Sequence, residues 1–219
     1  MKGMANQISL IFDLDGTLWD STKVVAESWS ECGKKYFGSG FSITQQDVKA
    51  QMGLPMEEIA RNIARIAPDL EKGEKWAAEA FDYEVAYLQN HHGELFQNEE
   101  ETLLRLKESG YGLYIVSNCQ KGYIEDYLSA LTHPEVFSGF LCYGDTHLPK
   151  HGTIALLMRK HGLVDAAYIG DTFGDERETR LAGLPFFFAS YGFGKADSPD
   201  ETLQKFDDLP LICRKRFGF

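Results

Sequence analysis

No apolar run in this chain approaches the roughly 20 residues that a helix needs to cross a bilayer. Met1 to Ala5 carry no apolar leader core either. Cysteine is scarce: Cys32, Cys119, Cys142 and Cys213 stand far apart and form no C-x-x-C pair. That spacing argues against a disulfide framework and suits reduced thiols, so a cytoplasmic protein is expected. Cations are also in deficit, with 22 Lys and Arg against 33 Asp and Glu and a net charge of −11. Their one run, Arg214-Lys215-Arg216, is expected to be a solvated tail. Nucleic-acid binding depends on clustered cations, so neither nucleic acid nor membrane is an expected partner. The absence of internal repeats excludes solenoids.

What is present is a globular composition, 43% hydrophobic and 25% charged, over 219 residues. That length holds one domain, or a core with a smaller unit attached. Gln7 to Leu14 reads as a buried strand. Asp20 and Ser21 are placed to start a helix running to about Phe37. Between Gly38 and His92 no strand pattern is found; Thr44 to Met52, Pro55 to Ile66 and Asp69 to Asn90 carry helical periodicity. Met56, Ile59, Ile63 and Ile66 recur on one face, and Trp76, Phe81, Tyr83 and Tyr87 are expected in a helical core. Beyond them, strands and helices alternate: strands at Gly112 to Ser117, Gly139 to Tyr143, Ala166 to Ile169 and Pro185 to Ala189, each following a helical stretch. The expected fold is α/β, a doubly wound parallel sheet with a small helical cap inserted after the first strand. The core spans 1–18 and 93–219, the cap 19–92.

In such sheets, ligands bind outside the carboxyl ends of the strands. The first strand runs into Asp13-Leu14-Asp15-Gly16-Thr17, the second ends in Ser117-Asn118, and the fourth in Gly170-Asp171, four residues before Asp175. The loop after the third leads to Lys150. Asp13 and Asp15, at i and i+2 on a strand, would face one way and repel unless a cation or proton intervenes. That pattern suits a metal bound beside a reactive carboxylate. His91-His92 reads as a hinge, His147 and His151 as surface residues, and Cys119 as a packing residue.

In this order these residues resemble the haloacid dehalogenase superfamily: D-x-D-G-T at Asp13 to Thr17, Ser117 closing a strand, Lys150, and G-D-x-x-x-D from Gly170 to Asp175. Asp20-Ser21 and Met52-Gly53-Leu54-Pro55 are similar to its phosphoglycolate phosphatase-like branch. The resemblance implies a phosphatase acting on a small-molecule phosphate monoester through an aspartyl-phosphate. Asp13 would be the nucleophile and Asp15 the general acid and base, its pKa raised by neighbouring carboxylates. Mg2+ would be held by Asp13, Asp171 and the backbone carbonyl of Asp15. Lys150, Ser117 and Asn118, with amides of Gly16 and Thr17, would hold the phosphate, and Asp175 would orient Lys150 or a water on the metal.

Members that cleave carbon–halogen or carbon–phosphorus bonds lack the second Asp, so Asp15 points to phosphate esters. A β-phosphoglucomutase-like phosphotransferase would carry a cap His and Arg, absent from Thr22-Lys23-Val24-Val25-Ala26 and Gly53-Leu54-Pro55-Met56-Glu57. A pyrophosphatase is a further alternative. A non-catalytic phospho-acceptor or binding domain would have no use for Asp15. No oligomeric state is specified.

Overall fold

A strand that is apolar at every position must be covered on both faces. The structure, a computed structural model, describes residues 7–218, so the stretch Met1 to Ala5 lies outside the described residues. The chain enters through β1 (Ile8–Phe12), makes a tight loop to β2 (Trp19–Asp20), and runs through α1 (Thr22–Phe37), α2 (Gln45–Lys49), α3 (Met56–Ile66) and α4 (Leu70–Leu88). It returns in β3 (Glu94–Leu95), antiparallel to β2, with Trp19 opposite Leu95 and Asp20 opposite Glu94. There follow α5 (Glu99–Glu108), β4 (Gly112–Ser117), α6 (Tyr123–Ala130), β5 (Gly139–Cys142), α7 (Tyr143–Thr146) and α8 (Lys150–His161). The last elements are β6 (Asp165–Gly170), α9 (Phe173–Leu181), β7 (Phe186–Ala189), β8 (Glu201–Leu203) and α10 (Leu209–Phe217).

Six strands form one sheet in the order β5-β4-β1-β6-β7-β8, and every pairing in it is parallel. Alternate residues feed opposite faces. Ile11, Tyr114, Val116, Tyr168 and Phe186 pack with Ile154 and Leu157 of α8. Leu10, Phe12, Leu113, Ile115 and Phe187 join the larger core on the other side with Leu103 and Leu106 of α5. Burying each such side chain stabilises by about 1.5–3 kcal/mol before entropy is counted. From β1 the chain winds one way to β4 and β5, then returns past β1 to β6, β7 and β8. The order therefore reverses at β1, and a crevice opens beyond its carboxyl end.

The helices between β2 and β3 pack on one another rather than into the sheet. Thr44 and Asp47 form a reciprocal capping box on α2, and Asp69 caps α4 by accepting from the Lys72 amide. Gly73 lets α4 approach α3, since a Cβ there would sit 2.4 Å from the Ala64 carbonyl oxygen.

Several expectations need correction. β1 ends at Phe12 rather than Leu14. β2, β3 and β8 are too short to carry a sequence signal, and α7 and α10 are further elements beyond those expected. Arg214-Lys215-Arg216 forms the basic last turn of α10, where it complements the helix dipole; Arg216 lies 3.7 Å from Asp200 and Lys215 3.9 Å from Glu201. Of the α3 stripe, Ile63 is core, Met56 and Ile59 line a cavity, and Ile66 is exposed. Trp76 is fully buried, whereas Phe81 borders the same cavity and Tyr83 is exposed. No described helix is long and apolar enough to cross a membrane. All four cysteines are free and buried.

Glu99, at the start of α5, is buried with its carboxylate accepting from the Tyr127 hydroxyl. Burial pushes its pKa up to about 8, against the opposing pull of that hydrogen bond. A raised carboxyl favours the fold fully below its unfolded value near 4.5, and the contribution is lost as pH rises through about 8. Glu99→Gln should therefore flatten the fall in melting temperature between about pH 5 and about pH 9. An unchanged slope in thermal melts would contradict this.

Candidate active site

The loop after β1 decides the geometry. The Asp13 amide donates to the Ile169 carbonyl at 2.8 Å, the last bond of the strand, and the chain then turns. The amides of Leu18 and Trp19 both donate to the Leu14 carbonyl, and Gly16 sits at φ +77. A Cβ on Gly16 would lie 2.3 Å from Asp171 Oδ2, so both the backbone conformation and the close approach call for glycine. Asp13 and Asp15 thus share a cavity because a loop aims them, and not because they alternate along a strand. The expected amide donors are also otherwise engaged: the Gly16 N–H donates to the Trp19 carbonyl at 2.9 Å and the Thr17 N–H to the Leu14 carbonyl at 3.2 Å. Thr17 is fully buried, and neither residue lines the cavity.

Asp13, Asp171 and Asp175 come together, with carboxylate oxygens within 4.8 Å of one another. Lys150, the first residue of α8, enters this cluster: its Nζ donates to Asp13 Oδ1 at 2.9 Å and to Asp175 Oδ1 at 2.5 Å. Asp175 Oδ2 accepts from the Thr172 amide and hydroxyl, which ties the carboxylate to the start of α9. Asp171 Oδ2 accepts from the Phe193 amide at 2.6 Å, while Oδ1 is buried with no partner among the described residues. Three buried carboxylates share one ammonium. Burial, and then the charge of Asp175, raises the Asp13 carboxyl to about 7 despite Lys150. Burial and then Asp175 and Asp13 hold Asp171 well above the usual range. Burial alone would lower Lys150, but Asp13 and Asp175 keep it well above the ordinary lysine value.

Asp15 belongs to a separate network. Its Oδ1 accepts from Trp19 Nε1 at 3.0 Å, Ser21 Oγ at 2.5 Å and the Tyr123 hydroxyl at 3.0 Å. Burial raises its pKa to about 6, opposed by those three donors. Desolvation, and not the expected neighbouring carboxylates, is the larger effect, and Asp20 is the acid that adds to it.

Ser117, at the end of β4, and Asn118 line the cavity with Asp13, Asp15 and Lys150. The Asn118 amide group also donates to the Gly53 carbonyl at 3.2 Å, fastening β4 to the loop before α3. The cavity is about 50 Å3 and is also lined by Trp29 of α1, Met56 of α3 and Glu84 of α4. Cys119 also borders it, and burial pushes its thiol well up. Exposed His91 and His92, and His151 bound to Glu178, lie outside it.

Sequence reading missed Tyr123, Trp29 and Glu84. For Glu84 a signal existed: with Trp76, Ala80 and Leu88 it continues an i, i+4 stripe that is otherwise buried and apolar.

A parallel sheet whose strand ends converge on a lysine-bridged acidic cavity defines an α/β enzyme. The chain belongs to the haloacid dehalogenase-like hydrolase family, whose model matches residues 10–189. It is 26% identical to a phosphoglycolate phosphatase of Pectobacterium atrosepticum, over 93% of this chain and 91% of that protein. It is also 26% identical to pyrophosphatase PpaX of Bacillus velezensis, over 92% and 94% of the two chains. A crystal structure from Haemophilus somnus, described as a predicted phosphoglycolate phosphatase, superposes with a TM-score of 0.81 at 25% identity. It covers 96% of this chain and 99% of its own.

Proposed function

We propose that this hydrolase is a Mg2+-dependent phosphatase that cleaves small phosphate monoesters through an aspartyl-phosphate on Asp13, under a cap formed by residues 19–92. The observation that carries this reading is the division of the two motif acids between separate networks. Asp13 is held beside Lys150, Asp171 and Asp175, and Asp15 by Trp19, Ser21 and Tyr123.

In the first step an Asp13 carboxylate oxygen attacks phosphorus and the ester P–O bond breaks. Asp15 gives the leaving oxygen its proton; with Oδ1 held by three donors, Oδ2 is the atom that carries it. In the second step a water attacks the same phosphorus, its proton passes to Asp15, and the bond to Asp13 breaks to restore the carboxylate. Lys150 neutralises charge on Asp13 and on the phosphoryl oxygens, and Ser117 donates to those oxygens. Asp175 keeps Lys150 in place. The donor set fits a hard divalent cation: an excess of buried carboxylate and an unpartnered Asp171 Oδ1. Asp13, Asp171 and the Asp15 carbonyl would hold Mg2+, which when bound supplies charge neutralisation for an anionic nucleophile meeting an anionic substrate. Lys150 is the one basic side chain among the described residues that line the cavity, with no cap Arg or His beside it. That composition favours release to water over the substrate reorientation of a mutase.

Phosphate release from p-nitrophenyl phosphate tests the reading. Turnover should require Mg2+ and disappear with a chelator. No release from this ester or from any small phosphomonoester, with Mg2+ present, would reject the proposal.

A further inference from the structure

The cap side of the cavity carries an acid where a cation would be expected. A second anionic group on the substrate, such as a carboxylate or another phosphate, would need a cation to receive it. Lys150 is already committed to Asp13 and Asp175, and no other Lys, Arg or His lines the cavity among the described residues. The cap supplies Glu84 instead. This side chain on α4 is 4% exposed, borders the cavity, and has no ion-pair partner among the described residues. Its two oxygens accept from Gln120 Nε2, at 3.1 Å, and from Trp29 Nε1. Those donors fix the carboxyl in orientation and bring no positive charge to it.

A buried carboxylate lacking a cation is costly, and the cost is relieved if the ligand brings the cation. The surrounding residues suit that ligand. Trp29 and Phe81 both line the cavity, with ring centroids 6.3 Å apart in an edge-to-face arrangement. Aromatic faces beside a carboxylate attract alkylammonium groups through the ring quadrupole. The cavity is about 50 Å3, so a substrate held within it is small. Burial raises the Glu84 carboxyl to about 8, the behaviour of an acid whose counter-charge has not arrived.

We infer that Glu84, with Trp29 and Phe81, selects a leaving group bearing a positive charge, so that the preferred substrate is the phosphate ester of a small amino alcohol rather than one carrying a second anion. This rests on the phosphomonoesterase reading above and adds the chemical class of the alcohol. It also separates this chain from the substrate in the names of its phosphoglycolate phosphatase and pyrophosphatase relatives.

The test compares 2-aminoethyl phosphate with phosphoglycolate, esters of similar size and opposite terminal charge, and uses phenyl phosphate as a neutral reference. In the wild-type enzyme with Mg2+, kcat/KM for the amino ester should exceed that for phosphoglycolate by roughly tenfold or more. Glu84→Gln, which keeps the side-chain shape, should lower the ratio of the amino ester to phenyl phosphate by a similar factor. Product inhibition needs no substitution: ethanolamine should compete with phenyl phosphate, and glycolate should not. Phosphoglycolate or pyrophosphate as the better wild-type substrate, or an unchanged ratio in a folded Glu84→Gln enzyme, would overturn the assignment to Glu84 while leaving phosphatase chemistry intact. Absence of hydrolysis with every ester, phenyl phosphate included, would overturn both.

Discussion

Asp13→Asn should abolish phosphate release, by on the order of 10^4-fold or more, and with it any covalent phosphoenzyme recovered on acid quenching. The loss should be chemical and not structural. Asp13 is one of three buried carboxylates around one ammonium, and burial has already raised it to about 7. Neutralising it relieves charge, and an asparagine oxygen can still accept from Lys150. The metal-free variant should therefore melt no lower than the wild type near neutral pH. Asp15→Asn supplies the contrast: roughly 10^2- to 10^4-fold loss on alkyl esters, whose leaving oxygen needs a proton, and much less on p-nitrophenyl phosphate in the first step. Equal losses on both kinds of ester would argue against Asp15 as the acid. Measurable turnover by Asp13→Asn would argue against the covalent route.

Lys150→Met should be the most destabilising single change at the site. Its side chain is 2% exposed and bridges Asp13 at 2.9 Å and Asp175 at 2.5 Å. Removing it leaves buried carboxylates without their cation, a class of change that costs about 3–5 kcal/mol. For a chain of this size that lowers the melting temperature by roughly 10 °C. The loss should deepen as pH rises through about 7, where Asp13 ionises. Adding Asp175→Asn to Lys150→Met should recover part of it, because one of the two stranded charges is gone; differential scanning calorimetry of the single and double variants measures this. A Lys150→Met protein that melts with the wild type would show that the bridge contributes nothing to the fold.

Much of the site was legible because it lies where strands end. Asp13, Ser117 and Asp171 each follow a run of apolar residues, and a parallel sheet brings such ends together whatever joins them. Lys150 was legible by position but not by partner. That it holds Asp13 and Asp175 at once depends on α8 and α9 lying side by side, and no local pattern encodes that contact. Gly16 and Thr17 show the limit of a motif, which names residues and not the direction of their N–H groups. The turn consumes both amides. Glu84 escaped for a related reason. It sits 66 residues or more before the residues of α8, β6 and α9 at the site, on a stripe that reads as ordinary helix packing, and its position over the cavity is set by how α4 crosses α1 and α3.

The sequence by itself determined the family, the parallel α/β core and the motif acids, since apolar periodicity and side-chain chemistry are properties of short segments. Only the tertiary structure decided which carboxylates share the ammonium, which is held apart by Trp19, Ser21 and Tyr123, and that α1 and α4 bring an acid and two aromatic rings to the cavity. Those outcomes depend on packing between elements distant in the chain. Desolvation and Coulomb interactions, which set the chemistry of Asp13 and Asp15, exist only once that packing has excluded water.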